Sequence, residues 1–320
     1  MAHPPDEKGA RCLLCGSGAE PLYEGMRDRV YGTPGEWRMV RCPNPACGLV
    51  FLAPPPTGDE LARAYAGYYT REVDPKSIET PARRGRLRSG AHRLHLGVLR
   101  GLGAEAKKRR IELSYLDRVS PGRVLDVGCG SGSRLAELRR LGWEVVGQEI
   151  DEKAAEIART THRLDVRIGP LASLRLRDSQ FDAVVMHHVI EHVSAPTELL
   201  AECWRLVKPT GHLVCVTPNV EGLGHWLFRH RWRGLEPPRH QVLFCIRTLG
   251  VVATRAGIDR CRVWTSAANS LTVALPRRRQ GGTLAGFLTT SCLVALHVFE
   301  IGLHAILPSS GDECILWATK

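Results

Sequence analysis

Val124-Leu125-Asp126-Val127-Gly128-Cys129-Gly130-Ser131-Gly132 decides how the chain is read. Four residues of mostly apolar strand run into three alternating glycines, and an apolar-periodic stretch from Ser133 to Leu141 follows as a helix. Glycine allows backbone to approach a ligand closely and to turn through left-handed conformations. Outward from this turn the same rhythm repeats. Glu144–Ile150 reads as a second strand and Asp151–Thr161 as a helix, and Val166 and Ile168 mark a short third strand. Phe181–Met186 is a fourth strand, Thr197–Val207 a helix, and Leu213–Thr217 a fifth strand. A helix follows at about Arg247–Ala256, stopped by Gly257, and Cys261–Thr265 and Cys314–Ala318 read as late strands. Strand and helix in alternation predict an α/β fold, a parallel sheet with helices on both faces.

The turn also speaks to its ligand. A G-x-G-x-x-G turn seats a pyrophosphate at a helix N-terminus, whereas this chain has G-x-G-x-G with Asp126 just ahead of it. A carboxylate there repels a phosphate and pairs with an ammonium group. At the end of the second strand, Glu149 is placed to accept from both hydroxyls of a ribose. An ammonium, a ribose and no pyrophosphate together describe S-adenosylmethionine.

With those residues in place, the chain resembles a class I S-adenosylmethionine-dependent methyltransferase, best over about residues 120–260, of the branch that includes ubiquinone-biosynthesis and many natural-product methyltransferases. VLDVGCGSG at 124–132, Glu149, FDAVVMHHVIEHV at 181–193 and LVKPTGHLVCVTPN at 206–219 carry the likeness, in the family's order. The resemblance implies a Rossmann-like, mostly parallel seven-stranded sheet. It also implies a cofactor site of Asp126, Gly128, Cys129, Gly130, Gly132, Glu149, Leu171 and His187. Thr210-Gly211 replaces the usual glycine pair, and Gly169-Pro170-Leu171 stands where relatives often carry an acid for the adenine amine. Adenine recognition then falls to backbone, Leu171 or another group. CPNPACGLVFLAPPP at 42–56 is similar to the zinc-ribbon leader of some bacterial small-molecule methyltransferases, and GDECILWATK at 311–320 resembles their last strand.

Methyl transfer from a sulfonium is an in-line displacement in which positioning and exclusion of water supply much of the rate. A base is needed only where the acceptor must lose a proton. His187, His188, Glu191 and His192 follow the fourth strand at the carboxyl edge, where open α/β sheets bind ligands. His188 is a candidate base, and packing beside the cofactor is its other reading. Pro237-Pro238-Arg239-His240 follows the fifth strand and a tryptophan-rich stretch. His240 is the leading general base, with substrate orientation as its rival. Arg239 offers a fork for an acceptor carboxylate or phosphate, or else makes a structural ion pair. The acceptor is expected to be a small biosynthetic intermediate (apolar, aromatic or a sugar), methylated at oxygen, with S-adenosylhomocysteine as the other product and secondary metabolism as the setting.

Four of 11 cysteines lie in the first fifty residues: Cys12-x2-Cys15, 26 residues, then Cys42-x4-Cys47. Two such pairs joined by a hairpin offer four thiolates to one structural zinc, with no open coordination site. Gly16 and Gly48 follow the pairs, where tight ligand loops favour glycine, and Trp37, Met39 and Val40 alternate as a strand. The chain of 320 residues has an ordinary apolar fraction, 43%, which excludes a disordered or fibrous protein. No apolar signal opens it, so a cytoplasmic protein with reduced thiols is expected. Its organisation reads as a zinc-ribbon-like domain at 1–56, a helical basic linker and cover at 57–119, and a methyltransferase domain at 120–320 with a helical insertion at about 270–309. The tyrosine cluster Tyr65, Tyr68 and Tyr69 falls in the linker.

A net charge of +11 and ten Lys or Arg between Arg83 and Arg110 bring RNA into question. The fourth strand is followed by Met186-His187-His188-Val189 and not by an N/D-P-P-Y motif for amino methylation. An RNA methyltransferase is therefore the runner-up, and a non-catalytic binding or scaffold protein the third reading. The stretch 280–299 carries no charged residue but is broken by polar ones, so 280–309 reads as a helical cover with peripheral membrane contact as the alternative.

Overall fold

A computed structural model describes residues 9–66, 104–267 and 299–320. Tyr68, Tyr69, the basic stretch before residue 104 and the insertion before residue 299 lie outside the described residues. The described strands are β1 (Glu20–Met26), β2 (Trp37–Arg41), β3 (Val50–Leu52), β4 (Arg123–Val127), β5 (Glu144–Glu149), β6 (Asp165–Ile168), β7 (Phe181–His187), β8 (Val207–Pro218), β9 (Val242–Leu243), β10 (Cys261–Ser266) and β11 (Glu313–Thr319). The helices are α1 (Gly58–Tyr65), α2 (Ala104–Glu112), α3 (Ser133–Arg140), α4 (Glu152–His162), α5 (Pro196–Leu206), α6 (Leu223–Phe228) and α7 (Ile246–Arg255). Residues 299–306 are also helical.

Seven strands form one sheet in the order β10-β11-β8-β7-β4-β5-β6. β4 runs parallel to both β5 and β7, and β5 parallel to β6, while β10 and β11 pair antiparallel. This is the mostly parallel sheet that the strand–helix rhythm predicts, in the Rossmann-like, seven-stranded form that the resemblance implies. Val124, Leu125 and Ala183 to Met186 are all buried, as strands covered on both faces require. Asp151 caps α4 by accepting from the N–H groups of Lys153 (2.9 Å) and Ala154 (3.4 Å), which fixes where that helix starts.

The fifth strand of the motif begins earlier than the apolar pattern implies, at Val207 in place of Leu213. Lys208, Pro209 and Thr210 carry no apolar alternation. Their end of the strand is held by backbone bonds between Thr210, Gly211 and Lys320, and by Lys208 Nζ donating to Asp182 Oδ2 at 2.8 Å.

The chain divides into two compact units. One comprises residues 1–68, 188–204 and 215–319. It contains a second sheet, β1-β2-β3-β9, antiparallel at each pair. Trp37, Met39, Val50, Leu52, Val220, Trp232, Leu235 and Leu243 form the core against that sheet. β9 begins two residues after His240, so a strand from the far side of the sequence completes the sheet begun by the N-terminal segment. The other unit comprises residues 69–187, 205–214 and 320, with the glycine loop and strands β4 to β7. Among the described residues, no helix is long and apolar enough to cross a membrane.

Candidate active site

In the second unit the ends of β4, β5 and β6 are laced together around the glycine loop. Gly128, Gly130 and Gly132 all take positive φ (68°, 55° and 82°). Glu149 Oε2 accepts from Gly130 N–H at 2.8 Å, and its Oε1 accepts from the N–H groups of Ile150 (2.8 Å) and Asp151 (2.9 Å). Each carboxylate oxygen can accept about two bonds, so Glu149 orients the loop and keeps one acceptor position, on Oε2, for a ligand hydroxyl. Gln148, which the sequence reading passed over, does a parallel job. Its Oε1 accepts from Gly128 N–H at 3.1 Å, and its Nε2 donates to Gly169 O at 2.7 Å. Nothing but its place beside an acid at a strand end marks it.

Asp126 is wholly buried, and neither carboxylate oxygen has a hydrogen-bond partner among the described residues. Arg134 Nη1 stands 3.7 Å from Oδ2, short of a hydrogen bond. Burial pushes the Asp126 carboxyl up to about 6, against the pull of Arg134. A buried carboxylate short of donors, beside loop amides and ahead of a helix N-terminus, fits a ligand bearing an ammonium group.

Not every residue of the motif faces a ligand. Cys129 packs its side chain with Leu135, Ala155, Ala158, Leu164 and Val166, and burial raises its thiol pKa. A Cβ at Gly132 would lie 2.5 Å from Leu164 Cδ1 and 2.9 Å from Ala158 Cβ, so packing against α4 requires this glycine as much as any ligand does. Leu171 is buried and opens a short 3-10 turn after Gly169-Pro170. His187 ends β7, half-buried.

The first unit holds His188, His192 and His240. His188 Nδ1 lies 3.1 Å from Glu191 Oε1 and His188 Nε2 lies 3.0 Å from Glu313 Oε1. Burial opposes its charge, but the two carboxylates prevail and hold His188 up at about 10. An imidazolium with both N–H groups on carboxylates is a structural cation at neutral pH and has no lone pair to act as a base. Glu191 is itself fully buried, its Oε2 accepting from Thr217 Oγ1 at 2.9 Å, and its carboxyl is pulled below the usual range by His188 despite burial.

His240 is arranged otherwise. Its Nδ1 lies 2.7 Å from Gly234 O, and since a carbonyl can only accept, Nδ1 carries the proton. Nε2 is then the basic nitrogen. His192 Nδ1 sits 3.2 Å from Arg239 O and 2.9 Å from the Tyr65 hydroxyl. Burial holds His192 down at about 3, so it is neutral. The ligating atoms of Glu191, His192 and His240 lie within 4.8 Å of one another.

Arg239 does not present a fork for an acceptor anion. Its guanidinium is wholly buried, with Nη2 2.9 Å from Asp28 Oδ2 and Nε donating to Glu236 Oε1 at 2.9 Å. The ion-pair alternative is the one the geometry displays. Asp28 and Glu236 are two further residues that the sequence reading missed.

Cys12, Cys15, Cys42 and Cys47 form a third group, with their Sγ atoms within 4.8 Å of one another. Cys12 and Cys47 are 3.6 Å apart, and Cys15 and Cys42 are 3.4 Å apart. A tetrahedron with Zn–S bonds of about 2.3 Å has edges of about 3.8 Å, so the donor set fits a four-thiolate metal. Gly16 and Gly48 take positive φ behind the two pairs.

Residues 125–215 match the family model described as a methyltransferase domain. A ubiquinone biosynthesis O-methyltransferase of Roseobacter denitrificans is 37% identical over 102 residues, 30% of this chain and 41% of that protein. A probable S-adenosylmethionine-dependent methyltransferase of Mycolicibacterium smegmatis is 36% identical over 115 residues, 35% of this chain and 45% of that protein. The chain thus spans less than half the length of these relatives. Among solved structures, a SAM-dependent methyltransferase from Archaeoglobus fulgidus aligns with a TM-score of 0.49 and 21% identity, over 68% of this chain and 94% of that one. By the family match, residues 125–215 belong to a methyltransferase domain, and they lie on the Rossmann-like sheet that carries the glycine loop.

Proposed function

We propose that the protein transfers a methyl group from S-adenosylmethionine to a hydroxyl of a small-molecule biosynthetic intermediate. The observation that carries the cofactor half is Asp126, a buried carboxylate lacking donors at the mouth of a loop whose amides are held by Gln148 and Glu149. Asp126 would take the ammonium and Glu149 the ribose. The bound cofactor supplies a methyl group already activated on a sulfonium.

The acceptor half rests on His240. Gly234 O fixes the proton on Nδ1, which leaves Nε2 to remove a proton from an acceptor hydroxyl as its oxygen becomes nucleophilic. The resemblance to O-methyltransferases supports oxygen as the target. The four-cysteine cluster is proposed to hold one structural zinc, closed to substrate because all four positions are thiolates. A cytoplasmic setting agrees with this reduced cluster.

The test is transfer of labelled methyl from S-adenosylmethionine to a panel of phenols, hydroxy acids and sugars, with cellular RNA as a parallel substrate. Label in a small hydroxylated acceptor, lost in His240→Ala, supports the reading. Label in RNA alone, or cofactor binding without transfer to any acceptor, overturns it.

A further inference from the structure

We infer that Asp28, on the loop between β1 and β2, is a positioning residue for the acceptor-side histidines, acting through Arg239. The inference rests on the methyltransferase reading above and names part of its machinery. Arg239 is clamped on every side. Asp28 Oδ2 and Glu236 Oε1 each lie 2.9 Å from it, Nη1 donates to Ala64 O at 3.1 Å and to Thr33 Oγ1 at 3.4 Å, and Tyr31 lies against the guanidinium at 4.4 Å. Asp28 is itself fixed before it meets the arginine. Its Oδ1 accepts from Val30 and Tyr31 N–H at 3.0 Å each, and its Oδ2 from Thr33 N–H at 3.1 Å. A fully buried guanidinium is tolerable only with its charge paired, and Asp28 on the N-terminal loop supplies one of its two carboxylates, so that loop helps set where residue 239 sits.

Residue 239 in turn bears on the state of the histidines. Its carbonyl lies 3.2 Å from His192 Nδ1, at the long end for a hydrogen bond, while the Tyr65 hydroxyl approaches the same nitrogen at 2.9 Å. A small displacement of residue 239 therefore leaves the tautomer to the hydroxyl, which can donate or accept. The adjoining residue is His240, whose N–H donates to Glu236 O at 3.1 Å and whose Nδ1 donates to Gly234 O. Gln241 continues the stitching: its N–H donates to Glu191 O at 2.8 Å and its Nε2 to His192 O at 2.5 Å. The carbonyl of residue 234 therefore sets which nitrogen of His240 carries the proton, and the carbonyl of residue 239 biases His192 toward Nδ1–H in competition with the Tyr65 hydroxyl. A base at His240 Nε2 depends on the first of these. The N-terminal segment is thus part of the acceptor apparatus, while the cofactor cradle is built without it.

The experiment reads the rings directly. Full-length, zinc-loaded protein with 15N-labelled histidine and bound S-adenosylhomocysteine is examined by long-range 1H–15N correlation. The wild type should show His240 and His192 each as a single Nδ1–H tautomer. Asp28→Asn should turn at least one of them into a tautomer mixture, with S-adenosylhomocysteine affinity unchanged by calorimetry. Should Asp28→Asn fail to fold, Arg239→Lys keeps the buried positive charge, loses the fork and should give the same mixture. Wild-type tautomers retained in the folded variant overturn the inference. Failure of the wild type to bind S-adenosylhomocysteine would instead count against the methyltransferase reading.

Discussion

Glu149 accepts a hydrogen bond from the amide of Gly130 at 2.8 Å, so the acid proposed for the ribose also holds the middle glycine of the cofactor loop. Its replacement has two consequences at once. Glu149→Ala should weaken S-adenosylmethionine binding by about 1.5–3 kcal/mol, the worth of hydrogen bonds to a charged acceptor. The loop amide at Gly130 should also exchange faster with solvent in the unliganded protein. Calorimetry and hydrogen exchange read the two effects separately, and unchanged affinity would remove Glu149 from the cofactor site.

Asp126 trades stability for binding. Its carboxyl pKa is raised to about 6 from an ordinary 3.8. A raised folded pKa means the group favours folding fully below pH 3.8 and loses that contribution as pH rises through 6. Above pH 6 the buried charge is a burden that a cationic ligand relieves. Asp126→Asn should therefore stabilise the unliganded protein above pH 6 by on the order of 1–3 kcal/mol. It should weaken S-adenosylmethionine in the same samples. Denaturant unfolding with and without cofactor tests this, and a destabilised variant with normal affinity would contradict it.

Much of the sheet was legible because β4 and β7 bury both faces and so read as short apolar runs bounded by turn residues. The start of β8 was hidden, since Lys208 to Thr210 are held by partners and not by an apolar pattern. The cofactor loop was legible as a motif, yet the sequence could not divide its residues between ligand and core. Gly132 and Cys129 face helix α4 and its neighbours, and only packing reveals that. The sequence left Arg239 open between an acceptor fork and an ion pair because nothing in its neighbourhood of the sequence announces Asp28. Ion pairs between distant segments leave no periodic trace. The same holds for Glu313, which with Glu191 turns His188 into a cation.

The four thiolates should carry one zinc per chain. Gly16 and Gly48 adopt the left-handed turns of the two ligand loops, which a metal would hold together. Cys42→Ser should lower zinc content and shift the unfolding midpoint downward before it changes S-adenosylmethionine affinity. Elemental analysis of metal-replete protein showing no zinc would refute the assignment.

His188 and His240 should part company when each is replaced. His188 is held at about 10 from an ordinary 6.5 by Glu191 and Glu313, against its burial. Its stabilisation is therefore complete below pH 6.5 and fades as pH rises through 10. His188→Gln leaves two buried carboxylates without their cation, a change of about 3–5 kcal/mol near neutral pH. Its deficit against the wild type should shrink as pH approaches and passes 10, a comparison that subtracts the tyrosines and lysines titrating in the same range. His240→Ala should show the opposite profile. It should fold with normal cofactor affinity and lose about 10²–10⁴ in turnover on a hydroxyl acceptor, because a general base acts only in the chemical step. Equal turnover in wild type and His240→Ala would mean an acceptor that arrives ionised or carries no proton to lose, with positioning alone driving the transfer.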